Sequence, residues 1–99
     1  MKIGTVLTKL RKRKGFTQQE LAVKIGVTRT TISLIESESS DQRPNSQTMK
    51  KLCKALEISE AFIYFLSIEE EDVPEEKRGF YKSVAPALDS LIHQVFESE

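Results

Sequence analysis

Apolar residues recur at helical spacing along most of the chain, and polar caps or glycines close each run. Ile3, Val6, Leu7 and Leu10 share one face of a helix predicted over residues 3–14, with Gly15 as its stop and Phe16 closing the core beyond it. Leu21 and Ile25, four apart, mark a second helix. Ile32 and Ile35, three apart, mark a third. A stripe of Met49, Leu52, Cys53 and Leu56 predicts a fourth over 46–56, with Asn45 as its cap. Ile58 bridges to Ser59, the cap of a short fifth helix over 60–66. No strand-like alternation and no internal repeat is visible, so the fold class expected is all-α.

The fifth helix is apolar all the way round, from Ala61 through Phe62, Ile63, Tyr64, Phe65 and Leu66, and such a helix needs cover on every side. An acidic linker follows over 67–73, with Glu69, Glu70, Glu71 and Asp72 in succession. Beyond it, over 74–99, Phe80, Val84, Leu88, Leu91 and Val95 recur at intervals of three and four, and Tyr81, Ile92 and Phe96 widen the stripe. This predicts an amphipathic helical tail. Asp72 is its expected cap, Pro74 suits its first turn, and Glu75 and Glu76 favour the N-terminal dipole. Gly79 and Pro86 each weaken a continuous helix, so two pieces are expected. A single apolar face of this length cannot form a core alone. It must pack on the head, on a second copy or on another protein.

Between the second and third helices stands Gly26, which can take the left-handed backbone that ends a helix tightly, followed by Val27 as an apolar plug. Thr17 with Glu20 forms a capping box, and Thr28 places a second hydroxyl cap before the third helix. Ala22 is small where two helices joined by a short turn must approach closely. The segment from Thr17 through Gln18, Gln19, Glu20 and Leu21 to Ala22, and the order Leu21, Ala22, Gly26, Val27, Ile32, Ile35, resemble the phage-repressor and Cro-type helix-turn-helix regulators, the lambda-repressor-like or XRE family. The likeness covers residues 3–66, about two thirds of the chain, and does not extend into the tail. It implies a five-helix lambda-repressor-like DNA-binding domain over 1–66, to which the tail is an appendage for dimerisation or partner binding. A helical hairpin without DNA affinity is the bland alternative.

The composition fits one small domain: 99 residues with 38% apolar side chains. No apolar run is long enough for a membrane span, and Met1 and Lys2 lead into an amphipathic helix without a signal-peptide pattern. The single Cys53 excludes an intrachain disulfide and suits a reducing cytoplasm. Cys53 reads as a small core residue and His93 as a solvated or interface-edge side chain. No catalytic or metal constellation is visible, so no enzyme activity, cofactor or metal is expected. Zero net charge alone argues against nucleic acid, but its distribution reverses the inference. Residues 1–58 hold twelve Lys and Arg against five acids, a net +7, and residues 59–99 hold three against ten, a net −7. A basic front suits phosphate. The run Lys9, Arg11, Lys12, Arg13, Lys14 has a second explanation, because cations are favoured at a helix C-terminus anyway.

The resemblance implies that the third helix enters the major groove. Carried over by position, the base-contacting residues are Arg29, Thr30, Ser33 and Leu34. The Arg29 fork can hold guanine O6 and N7, whereas Leu34 can make only apolar contact. Gln18, with the helix N-terminal amides behind it, is the expected phosphate clamp. Thr17, Thr31, Ser37 and Arg43 are weaker phosphate candidates. The loop over 37–44 carries Glu38 and Asp41 where relatives often carry basic residues, which weakens phosphate contact there. Arg11 and Glu36 are implied to form a structural ion pair tying the first helix to the third. Tyr64, Phe65, Leu66, Phe80, Val84, Leu88, Leu91 and Val95 are the expected dimerisation residues, because exposed apolar patches mark interfaces. The function expected is a cytoplasmic, homodimeric, sequence-specific transcriptional repressor acting on double-stranded DNA at a pseudo-palindromic operator by promoter occlusion. An antitoxin-like autoregulator whose tail binds a partner protein, and an interaction adaptor that does not bind DNA, are the alternatives.

Overall fold

The computed structural model describes residues 1–37 and 43–97. Six α-helices run in order: α1 Ile3–Arg13, α2 Gln18–Ile25, α3 Arg29–Glu36, α4 Ser46–Leu56, α5 Glu60–Leu66 and α6 Arg78–Glu97. Two single turns of 3-10 helix, Glu70–Asp72 and Glu75–Lys77, connect α5 to α6. No strand occurs among the described residues. The expected loop acids Glu38 and Asp41 lie outside the described residues.

The local starts and stops follow from side-chain chemistry. The Thr17 hydroxyl accepts from the Glu20 amide at 3.0 Å, and the Glu20 carboxylate accepts from the Thr17 amide at 2.9 Å, closing the capping box of α2. Thr28, Asn45 and Ser59 each accept an amide at the start of α3, α4 and α5. Each cap satisfies a donor that the helix itself leaves unpaired. Gly26 ends α2 at φ 75°, and Gly15 follows α1 at φ 80°. Glu57 takes the same left-handed conformation at the end of α4, φ 55°, where a glycine is the usual choice.

Helices α1 to α5 enclose one core. Val6, Leu7 and Leu10 of α1 meet Leu21, Ala22 and Ile25 of α2, Ile32 of α3, Met49, Leu52, Ala55 and Leu56 of α4, and Ile63 and Leu66 of α5. Ala22 is fully buried, as the close approach at a short turn requires. A second close approach was not read from the sequence. A Cβ on Gly4 would stand 2.9 Å from the backbone of Ile35 and Glu36, so only glycine lets the start of α1 seat against the end of α3.

Several expectations need correction. Leu66, expected at a dimer contact, is fully buried in the core, because Ile63 and Leu66, three apart, form the inward face of α5. Cys53 is only half-buried at the core's edge. There, burial first and the nearby Glu60 second push its thiol pKa up. Ser67, first residue of the acidic linker, is buried, and its hydroxyl donates to the Tyr64 carbonyl at 2.9 Å. Asp72 does not cap the tail helix. Its carboxylate accepts from the Glu69 amide at 2.9 Å within its own turn, and Pro74 precedes the separate turn Glu75–Lys77. The tail is one helix rather than two pieces, with Pro86 inside it. Pro86 is exposed, so water can satisfy the Lys82 carbonyl that loses its helical donor. Gly79 falls in the first turn, where its entropic cost is small.

Helix α6 lies against the outside of α1. Its second half makes the contact: Ile92 and Phe96 pack on the core, the Lys9 ammonium sits 5.7 Å from the Phe96 ring centre, and Arg13 donates to the Val95 carbonyl. Its first half meets the short 3-10 turns instead, where Lys82 pairs with Glu70 at 3.5 Å, and Phe80 is 72% exposed.

Candidate nucleic-acid interface

Helix α3 turns one face to the core and the other outward. Ile32 is buried and Ile35 half-buried, while Arg29, Thr30, Ser33 and Leu34 are exposed. Arg29 and Ser33 are one turn apart, as are Thr30 and Leu34, so the four form one outward patch. Gln18, at the start of α2, joins Arg29, Thr30 and Ser33 around one shallow depression. An adjoining depression is lined by Arg11, Thr17, Gln18, Gln19 and Arg29. The turn at Gly26 thus sets the beginnings of α2 and α3 side by side on one surface.

A hydrogen-bonded chain underlies that surface. Arg11 Nε donates to Glu36 Oε2 at 2.7 Å, and a second guanidinium nitrogen donates to Glu36 Oε1 at 3.1 Å. The third donates to the Phe16 carbonyl at 2.6 Å. Both side chains are buried, so the two-pronged pair ties α1 to the end of α3 without help from water. Glu36 Oε1 also accepts from the Gln18 carboxamide at 3.1 Å. That bond occupies one Gln18 N–H. A phosphate meeting Gln18 must therefore use its second N–H or the backbone amides at the start of α2. Periodicity carries no sign of this link, because residues eighteen apart lie on different helices.

The remaining phosphate candidates stand in different surroundings. Thr17 is exposed, and its hydroxyl accepts from the Glu20 amide within the capping box. The capping bonds, first to the Thr17 backbone and then to its hydroxyl, hold the Glu20 carboxyl below its ordinary pKa. Thr31 is half-buried with its hydroxyl 2.9 Å from that of Thr28. Ser37 is half-buried at the end of α3. Arg43 lies apart, its guanidinium 5.4 Å from the centre of the Tyr64 ring, so it fastens the entry to α4 onto α5. Gln19, which the sequence reading did not single out, lines the same depression as Arg29.

No group of three or more His, Cys, Asp or Glu arranged for a metal ion occurs among the described residues. No helix of the described residues is long and apolar enough to cross a membrane. Searches of curated proteins and of solved structures returned no match. A helix-turn-helix family model, however, matches residues 7–63, from the core face of α1 to the inward face of α5. The span includes both caps, the Gly26 turn and the outward patch of α3, and on it the chain belongs to the lambda-repressor-like, XRE-type helix-turn-helix family of DNA-binding regulators.

Proposed function

We propose that the chain is a sequence-specific repressor that binds a pseudo-palindromic operator as a homodimer and acts by occluding a promoter. The observation that carries this reading is the single outward patch in which Arg29, Thr30 and Ser33 stand beside Gln18 and the start of α2. An Arg at the first position of a groove-bound helix can grip guanine with two parallel hydrogen bonds. Thr30 and Ser33 add short polar contacts, and Leu34 offers a methyl-sized apolar contact. Thr17, Gln18 and the amides behind them take phosphate, with Thr31, Ser37 and Arg43 at the margins.

In this reading residues 1–66 are the DNA-binding head, 67–73 the acidic connection and 74–99 the assembly segment. The dimer contact narrows to the first half of α6 and its surroundings. Phe80, Val84 and Phe65 are exposed, Tyr64 and Leu88 are half-buried, and Leu91 and Val95 belong to the half that rests on the head. Two-fold symmetry then spaces the recognition helices by about one turn of DNA, ~34 Å, or a longer multiple.

Selection of bound duplexes from random DNA tests the proposal directly, and it returns half-site and spacing together. Arg29→Ala should cost about 1–3 kcal/mol on the selected site and relax one base position. A sequence logo unchanged by Arg29→Ala removes Arg29 from base readout. Absence of any enriched sequence removes the repressor reading as a whole.

A further inference from the structure

A second charged surface lies away from the α3 patch. The C-terminal ends of α1, α2 and α4 converge on a half-open cleft of about 530 Å³, lined by Lys14, Lys24, Lys51, Lys54 and Glu57 around an apolar floor of Phe16, Ile25 and Ala55. None of the proposed base-contacting residues lines it. Lys24 stands six residues along α2 from Gln18, about 9 Å at helical rise, so the cleft is set back from the proposed phosphate clamp.

Helix ends alone do not account for its charge. Three helix C-termini bring roughly half a negative charge each, and a lysine in each last turn is an ordinary response to that. Four lysines meet a single carboxylate among the described lining residues, a net formal +3, which exceeds the helix contribution. Lys51 stands a turn ahead of the α4 terminus and serves no helix end. Glu57 is already engaged, since its carboxylate accepts from Lys14. That bond and charge, and then the charge of Lys24, hold the Glu57 carboxyl below its ordinary pKa. Lys24 is braced 5.7 Å from the centre of the Phe16 ring. Lys51, Lys54 and Ala55 share one face of α4, so two ammonium groups stand directly beside the apolar floor.

We infer that this cleft binds a small amphipathic anion, a phosphate or carboxylate head held by Lys24, Lys51 and Lys54 with a flat apolar body laid on Phe16, Ile25 and Ala55. The volume suits such a ligand, since small-molecule sites run from about 300 to 1,000 Å³ with mostly apolar lining and a few convergent polar groups. A nucleotide and an aromatic acid share this chemistry. The site is independent of the reading of α3, because no residue serves both.

The experiment is a titration of the isotopically labelled full chain, followed by amide shifts, with ATP, benzoate and inorganic pyrophosphate as separate probes. ATP or benzoate should shift Phe16, Ile25 and Ala55 saturably, with a Kd below ~1 mM. The tighter of the two gives the source class. The exposed double variant Lys51→Gln, Lys54→Gln should weaken that binding about tenfold or more, while leaving affinity for the selected duplex within about threefold at physiological ionic strength, where charges beyond about 8 Å are screened. Pyrophosphate binding as tightly as ATP would overturn the proposal, because the apolar floor would then contribute nothing. So would shifts confined to Gln18 and Arg29, the absence of saturable shifts with both organic probes, or a lysine variant that loses duplex affinity, which would make the cleft part of the DNA surface.

Discussion

Head and tail use similar apolar stripes to different ends. In α4, Met49, Leu52 and Leu56 are buried because α2 and α5 flank the helix. In α6, twenty residues long, no described side chain from Arg78 to Phe96 reaches the burial of Ile63. The same periodicity therefore yields a core where helices surround it and a half-covered ledge where α1 and the two short 3-10 turns are the neighbours. Within α6 the contrast repeats: Ile92 and Phe96 rest on the head, while Phe80 and Val84 face outward. Amphipathicity specifies that a face will be buried; it does not specify by what.

The largest effects should come from the head. Glu36→Ala should cost about 3–5 kcal/mol of stability, because it strands the buried Arg11 guanidinium and frees the Gln18 amide. Arg29→Ala, on an exposed site, should stay within about 0.5 kcal/mol. Urea unfolding of single and double variants at Arg11 and Glu36 gives the coupling, and additive losses would show that the pair is not a unit. Ile63→Ala should cost about 2–5 kcal/mol, as a fully enclosed aliphatic truncation does. Ile92→Ala, the same deletion of surface on the half-covered ledge, should cost about 1 kcal/mol. Equal losses at Ile63 and Ile92 would erase the distinction between core and ledge.

Legibility divides along the same line. The helices of the head could be placed from Thr17, Gly26, Asn45 and Ser59, because each acts through hydrogen bonds or backbone freedom within a few residues of itself. Arg29 and Ser33 are implied by the family resemblance, carried over by position. What escaped depended on contact between distant segments. Gly4 matters only because the backbone of Glu36 arrives beside it. Leu66 looked surplus in an all-apolar helix until the packing of α5 chose Ile63 and Leu66 as the inward pair. At Pro86 propensity counts the lost hydrogen bond but not the exposed face, on which the Lys82 carbonyl stays open to solvent.

Intermediate effects should appear in assembly rather than in folding. Phe80→Asp with Val84→Asp should change stability little, since both residues are exposed in the single chain. In the proposed dimer the same pair should shift the sedimentation equilibrium of micromolar samples to monomer and lower operator affinity through loss of the second half-site. A wild-type chain that is already monomeric under these conditions, yet binds one half-site tightly, would leave the ledge without a homodimeric role.

The smallest effect separates head from tail by pH. The Glu20 carboxyl is held below its ordinary pKa by the Thr17 backbone bond first and the Thr17 hydroxyl second, so it binds its proton more weakly folded than unfolded. Its contribution is therefore present above the unfolded carboxylate range and is lost as pH falls through the depressed folded value. Thr17→Ala should remove about 1 kcal/mol of α2 capping at neutral pH. Glu20→Gln, which cannot ionise, should flatten the acid limb of the stability profile relative to wild type and leave neutral-pH stability only slightly lower. Both changes act on the amides at the start of α2, so they should also weaken duplex binding slightly and evenly across sequences, with no change at any one base position. Hydrogen exchange at Leu21, measured on both sides of the acid transition, would locate the loss within the head. An acid limb unchanged by Glu20→Gln would assign it to other carboxylates, with Glu57, held below its ordinary pKa first by its bond to Lys14, next to be tested.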